Sequence, residues 1–183
     1  MSTVLMKNQA YDLDKLAMKT YGISGQKLMG EAGKKIAHFI KRNFNNINSI
    51  SIVTGKGNNG GDGLAAAIQL KKYNFNITVF SIFDTHNLSK DSLYYYKECI
   101  KKDIPIIFNS DPPQTHDFKD LVVDSILGIG LSREPKGSIL EAIKWINSLK
   151  NKAFIISIDI PSGLNASNGE TFNNVVNAHQ TIM

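Results

Sequence analysis

Ile50-Ser-Ile-Val-Thr-Gly-Lys-Gly-Asn-Asn-Gly-Gly-Asp-Gly-Leu-Ala-Ala-Ala-Ile-Gln-Leu70 is the stretch on which the fold turns. Ile50 to Thr54 is a short β-branched run that stops at Gly55, the pattern of a strand. Leu64 to Leu70 is an alanine-rich apolar run with helical character. Between them lies a glycine-rich turn, so strand, turn and helix follow one another. The same alternation continues downstream. Ile77-Thr-Val-Phe-Ser-Ile-Phe83 reads as a strand, 89–102 as a helix and Pro105-Ile-Ile-Phe108 as a short strand. Asp111-Pro-Pro113 marks a loop, and Leu121-Val-Val-Asp124 is a strand opening into a second glycine loop. Residues 138–149 carry Ile139, Leu140, Ile143, Trp145, Ile146 and Leu149 at helical spacing, and Phe154-Ile-Ile-Ser-Ile-Asp159 is a buried strand. Upstream, 7–21 and Gly25 to Arg42 read as two leading helices, the second capped by Ser24. Strands alternating with helices predict an α/β fold: a three-layer α/β/α, Rossmann-like sandwich on a mostly parallel sheet. There is no internal repeat, linker or low-complexity tract, so residues 1–183 are expected to form a single domain. The tail from Thr171 to Met183 is polar, and no element is predicted there.

Composition narrows the function. Hydrophobic residues make up 42% and the net charge is only +5, which excludes wholesale disorder. No apolar run has the length of a membrane span, and the N-terminus lacks the features of a secretory signal. The cytoplasm is the default compartment. The one cysteine, Cys99, excludes an intramolecular disulfide framework and a cysteine-rich zinc site. The basic residues are almost all Lys, scattered singly or in pairs, without the Arg and aromatic interleaving of a nucleic-acid platform. An anionic small molecule suits the charge equally well.

In an open α/β sheet, ligands bind outside the carboxyl ends of the strands. Three strand ends carry chemistry. The first is Gly55-Lys-Gly-Asn-Asn-Gly-Gly-Asp-Gly63. Its glycines let backbone approach a ligand closely, and the following helix aims N–H groups and a positive dipole end at an anion. Gly55, Gly57 and Gly60 alone match a dinucleotide fingerprint, with Asp84 near where a ribose-binding acid would fall. The second is Val123-Asp-Ser-Ile-Leu-Gly-Ile-Gly-Leu-Ser-Arg133. Asp124 at a strand end can hold a cation or orient a sugar, and Arg133 can clamp phosphate. The third is Ile158-Asp-Ile-Pro-Ser-Gly-Leu-Asn165. Asp159 closes an apolar strand, so partial burial would raise its pKa and suit it to proton transfer. Ser162 offers hard oxygen donors. By contrast His38, His86, His116 and His179 are dispersed without metal-ligand spacing, Cys99 reads as packing, and Ser162 is not in a nucleophile elbow.

These three strings, in order, resemble the YjeF N-terminal domain family, the NAD(P)H-hydrate epimerases. The strings at issue are 55–63, 123–133 and 159–164. The leading helices are similar too, through Asp14, Tyr21-Gly22-Ile23, Leu28-Met29 and Ala32-Gly33. Two positions depart from the family's strings: Gly30 stands where Glu is usual, and Glu134 follows Arg133 where a neutral residue is common. The family's chains also run on into a last core strand, which reads here as missing, so the C-terminal end looks truncated.

The resemblance implies an isomerase that repairs nicotinamide cofactors by interconverting the R and S hydrates of NADH and NADPH at C6. It implies a bound potassium ion, with Asn59, Asp124 and Ser162 as its ligands. The substrate would touch Asn58, Asn59, Gly60, Gly61 and Asp62, then Gly128, Ile129, Gly130, Leu131, Ser132, Arg133 and Glu134, and Asp159. Asp159 is expected to shuttle the proton; Asp62 holds the glycine loop or ribose, or takes a second proton role. The functional partner is an ATP- or ADP-dependent dehydratase, fused after this domain or separate. A homodimer is left open, as is the choice between NADH and NADPH. The competing expectation is a module of the same fold that binds nucleotide, protein or RNA without catalysis.

Overall fold

The computed structural model describes residues 7–44, 46–108 and 120–183. The loop expected at Asp111-Pro-Pro113 and His116 lie outside the described residues. In chain order the elements are α1 (Lys7–Tyr21), α2 (Gly25–Asn43), β1 (Ser49–Thr54), α3 (Asn58–Lys72), β2 (Asn76–Ser81), a 3-10 turn (Thr85–Asn87), α4 (Lys90–Lys101), β3 (Ile106–Phe108), β4 (Leu121–Ser125), α5 (Ser138–Ser148), β5 (Phe154–Ile158) and β6 (Gln180–Ile182).

Among the described residues six strands, all parallel, lie in the order β3-β2-β1-β4-β5-β6. Central parallel strands are buried on both faces, and β1 from Ile50 and all of β4 are buried, with Ser51, Thr54, Asp124 and Ser125 as their buried polar residues. Alternation along each strand divides the core in two. Ile50, Ile52, Leu121, Val123, Ile156 and Ile158 face α2 and α3, with Ile36, Ile40, Leu64 and Leu70 against them. Val53, Val122 and Ile155 face α5, against Ile143, Trp145 and Ile146. This is the three-layer sandwich that the alternation of elements predicts. Ser24 caps α2 as expected, accepting the Lys27 N–H at 3.2 Å. Helix α1 forms as its spacing predicts, yet Leu13 and Leu16 remain exposed.

Two readings need correction. Residues 58–63 are the first turns of α3, not a turn before a helix. Gly60, Gly61 and Gly63 are absent from the positive-φ residues, so their service is close packing within a helix. A Cβ at Gly60 would collide with the carbonyl oxygen of Gly55, and one at Gly61 would fall 2.6 Å from Ser92 Oγ. Gly60→Ala therefore forces backbone apart at the heart of the loop. We expect it to cost about 3 kcal/mol, the upper end for overpacking, read as a lower midpoint in urea denaturation. The second correction is at the tail. Gln180–Ile182 is a strand, paired with β5 in the register Ile156↔Gln180 and Ile158↔Ile182. The β-branched Thr181 and Ile182 suit a strand, but so short a run on a sheet edge takes its conformation from its partner rather than from its own sequence.

Candidate active site at the switch point

β1 and β4 are central neighbours, and the chain leaves them toward opposite sides of the sheet. The crevice at their carboxyl ends is the topological switch point, where ligands of such sheets bind. The three motif loops follow β1, β4 and β5, so this strand order brings them together. Their contacts are direct. Gly55 N–H donates to Ser125 C=O at 3.1 Å, and Ser125 Oγ donates to Asn59 C=O at 2.5 Å. Leu127 N–H donates to Ser162 Oγ at 2.9 Å, and Ile129 N–H donates to Asp159 Oδ2 at 2.7 Å.

Asp124 is fully buried. Ser162 Oγ (2.6 Å) and Ile126 N–H (3.2 Å) donate to its Oδ1; Ser157 Oγ (2.8 Å) and Ser162 N–H (2.9 Å) donate to its Oδ2. Burial pushes its pKa up, and these four donors oppose that shift. Ser157 does not stand out in the sequence. Its only signal there is a hydroxyl inside an apolar strand, and it gains meaning from the register that sets it beside Asp124.

Asp159 sits just past β5 at φ +68°, a left-handed conformation for a residue with a Cβ. Such strain costs of order 1–3 kcal/mol and persists only where the surroundings enforce it. Here the Asp159 N–H is held by Ile182 C=O at 2.7 Å and the carboxylate by Ile129 N–H. Burial raises its pKa, and the Ile129 bond opposes the rise in part. Gly128 has no room for a Cβ, because Asp159 Oδ2 occupies that space; Asn59 Cβ lies 3.5 Å from the same point. Asp159, Gly128 and Asn59 thus meet in one place.

Asn59 is the most telling side chain. It is buried, and neither Oδ1 nor Nδ2 has a hydrogen-bond partner among the described residues. Ser51 Oγ, Thr54 Oγ1 and Trp145 Nε1 are likewise buried without a partner among the described residues, but Asn59 differs in lying at a loop junction, where a ligand, an ion or a water can complete its amide. Asn58 is exposed at the start of α3, Gly60 and Gly61 are buried, and Asp62 is half-buried. Gly130, Ser132 and Arg133 are exposed, while Leu131 is half-buried. Glu134 is turned toward Asn173, whose Nδ2 donates to Oε1 at 2.9 Å. Asp84 is engaged elsewhere, as the cap of the 3-10 turn, where it accepts from His86 N–H and Asn87 Nδ2, each at 2.9 Å. The dinucleotide-fingerprint role for Asp84 has no support in that geometry. Gly30 leaves no hole either, because the Tyr95 hydroxyl fills it and donates to Gln26 C=O at 2.7 Å. Cys99 is buried, its pKa pushed up to about 12 by desolvation, which suits packing and not nucleophilic chemistry.

Ser92 and Ser89 also carry no signal in the sequence. Ser92 Oγ donates to Gly57 C=O at 2.8 Å, and Ser89 N–H donates to Lys56 C=O at 2.9 Å. The start of α4 thereby fixes the glycine loop from outside.

A family model described as YjeF-related protein N-terminus matches residues 25–183. The chain belongs to the YjeF N-terminal family. Among curated members, the NAD(P)H-hydrate epimerase of Oenococcus oeni is 31% identical across 100% of this chain and 85% of its own length. A bifunctional NAD(P)H-hydrate repair enzyme of Coxiella burnetii is 32% identical over 98% of this chain, which spans 36% of that enzyme. The crystal structure of the yeast protein ynu0 superposes with a TM-score of 0.84 at 22% identity, covering 98% of this chain and 79% of that one. That likeness confirms the fold. In this YjeF-family chain, as in the sandwich predicted from sequence, the motif loops lie at the strand carboxyl ends. No helix among the described residues is long and apolar enough to cross a membrane.

Proposed function

We propose that this chain is an NAD(P)H-hydrate epimerase that interconverts the R and S hydrates at C6 of the nicotinamide ring. The observation that carries the reading is that a strained, half-buried Asp159 and Asn59, whose buried amide has no partner among the described residues, both pack against Gly128 at the switch point, Asp159 through Oδ2 and Asn59 through Cβ. The names of relatives that match along nearly the whole chain support it.

In this reading the N-terminal turn of α3, from Asn58 to Asp62, and the backbone of Gly128 to Leu131 receive the dinucleotide. Free N–H groups and the dipole of α3 favour its pyrophosphate, and the exposed Ser132, Arg133 and Glu134 rim the opening. Asp159 holds or moves the proton. Its Oδ2 is fixed by Ile129 N–H, and Oδ1 takes no hydrogen bond from the described residues. A carboxyl whose pKa is raised by burial transfers a proton near neutral pH more readily than an exposed one. Epimerising a hydroxylated carbon beside nitrogen needs reversible loss of hydroxide or ring opening, with no net redox change. Asp62 sits one turn into α3, where it steadies the glycine loop or ribose or takes the second proton role.

The donor set also fits a potassium ion. Asn59 has unpartnered buried amide atoms, Asp124 is a buried carboxylate, and Ser162 brings hydroxyl and carbonyl oxygens. All are hard oxygens of the kind a large monovalent cation takes. When bound, the ion would supply the positive charge that the Asp124 carboxylate lacks and an electrostatic anchor for substrate oxygens. We read residues 1–183 as one domain. Its functional partner is an ATP- or ADP-dependent dehydratase, in keeping with the relatives named as bifunctional repair enzymes.

The test is to mix the purified chain with R-NADH hydrate, with and without potassium, and follow the R/S ratio against spontaneous epimerisation. Protein-dependent equilibration, faster with potassium, is the expected result. A folded protein that binds the hydrate without accelerating its equilibration would overturn the enzyme reading in favour of a binding module.

A further inference from the structure

The short strand β6 matters out of proportion to its length. Its last carbonyl, that of Ile182, accepts the Asp159 N–H at 2.7 Å. That bond fixes the backbone at the residue held at φ +68°. Three residues of edge strand are marginal by themselves, so something else must dock β6. Val176 N–H donating to Ser162 C=O at 2.9 Å and Asn177 N–H donating to Asn147 Oδ1 at 2.7 Å tether the segment ahead of it, and His179 acts next to β6 itself. His179, the residue before β6, grips Ile155 on both sides. Its own N–H donates to Ile155 C=O at 2.8 Å, and its Nδ1 accepts the Ile155 N–H at 2.9 Å. The imidazole thereby takes the ladder place that a strand carbonyl would fill. Its ring also stacks on Phe154, centroids 4.8 Å apart with 26° between planes, and Phe154 packs on Phe44 at 4.9 Å.

We propose that His179 is a positioning residue for the reaction: it clasps β6 to β5, and β6 in turn holds Asp159 in its left-handed conformation. The proposal rests on the reading of Asp159 as the proton shuttle. His179 lies at the far end of β5 from the site, so it touches neither substrate nor reacting atoms. Its influence runs along β6, from Gln180 beside Ile156 to Ile182 beside Ile158.

Three substitutions separate the parts of the clasp. His179→Phe keeps an aromatic ring without the acceptor. His179→Asn keeps an acceptor in the position of Nδ1 without the ring. His179→Ala removes both. The readouts are amide hydrogen exchange at Asp159 and steady-state kinetics with R-NADH hydrate, on the full chain. We expect Asp159 exchange to rise about tenfold or more in the Ala and Phe variants, because local opening of β6 becomes easier. In the same two variants kcat should fall about tenfold with KM within about twofold, the pattern of a lost transition-state arrangement. The Asn variant should restore both. Unchanged Asp159 exchange in folded His179→Ala and His179→Phe proteins would overturn the clasp. An Asp159→Asn variant that turns over at the wild-type rate would instead overturn the underlying assignment, whatever the exchange shows, so the two failures are distinct.

Discussion

Asp159→Asn is expected to lower the epimerisation rate by roughly 10²–10⁴-fold, the span of a lost general acid–base group. The substitution is close to isosteric, and three features make it a clean one. Asn is among the few residues with a Cβ that enter the left-handed region readily, so φ +68° is retained. Its side-chain oxygen can still accept the Ile129 N–H that Asp159 Oδ2 accepts at 2.7 Å. The backbone bond to Ile182 C=O does not involve the side chain. What disappears is the ability to take up and release a proton. Substrate binding, measured by titration with the hydrate, should stay within about threefold, a change of well under 1 kcal/mol. Loss of binding in parallel with loss of rate would show that the carboxylate recognises substrate instead.

The direction of the Asp159 shift adds a pH signature. Burial raises the folded-state pKa above the ordinary carboxylate value. A raised carboxyl contributes stability that is fully present below the unfolded pKa and is lost as pH rises through the folded one. Neutralising it by Asn should therefore leave the protein at least as stable at pH 7. The activity runs the other way if the ionised form is the base. Wild-type rate should fall as pH drops through the folded pKa, so its acid limb should lie above the usual carboxylate range. That limb should be missing from whatever residual rate Asp159→Asn retains. Thermal melts and pH–rate profiles of the two proteins decide both points.

Much of this architecture is legible in the sequence because local pattern and tertiary demand agree. Val53, Val122 and Ile155 lie in apolar runs long enough for strands and too short for helices, and each run ends at a glycine or aspartate. Asp124 and Asp159 are identifiable as carboxylates closing apolar strands, the place where a sheet fold exposes its ligand face. The glycine loop misleads in one respect. Glycine counts against a helix by propensity, yet Gly60, Gly61 and Gly63 stand inside α3 because Gly55, Ser92 and Ser125 press against it. Tertiary crowding selects them. Other parts of the site are hidden for a geometric reason. Ser162 is legible as an oxygen donor, but Ser157 becomes a partner of Asp124 only when β4 and β5 are adjacent in a given register. His179 looks idle in the sequence because its partner, Ile155, is 24 residues away and offers a backbone N–H, which leaves no mark there.

Asp124→Asn should lower stability strongly, and the size of the effect depends on the cation. Each carboxylate oxygen of Asp124 accepts one backbone N–H: Oδ1 that of Ile126, Oδ2 that of Ser162. An asparagine has one oxygen and one NH₂ group, so in either orientation the NH₂ faces a buried backbone N–H. Two donors then oppose each other with no water to satisfy them, a cost of about 3 kcal/mol. At roughly 2–4 °C per kcal/mol for a chain of this size, the melting temperature should drop by roughly 6–12 °C. In the absence of cation the wild type carries its own penalty, because desolvation raises the Asp124 pKa and disfavours the charge. That handicap is greatest above the folded pKa, where the carboxylate is ionised. Removing the charge offsets part of the amide clash there, so the difference between the two proteins should be smaller without potassium than with it. Potassium, but not lithium, should raise the wild-type melting temperature, and the increment should grow as pH rises and Asp124 ionises. In Asp124→Asn the increment should vanish along with most of the turnover. A wild-type melting temperature indifferent to potassium at pH 8 would remove the ion from this site, and Asp124 would then stand as a buried tether between β4 and the loop after β5.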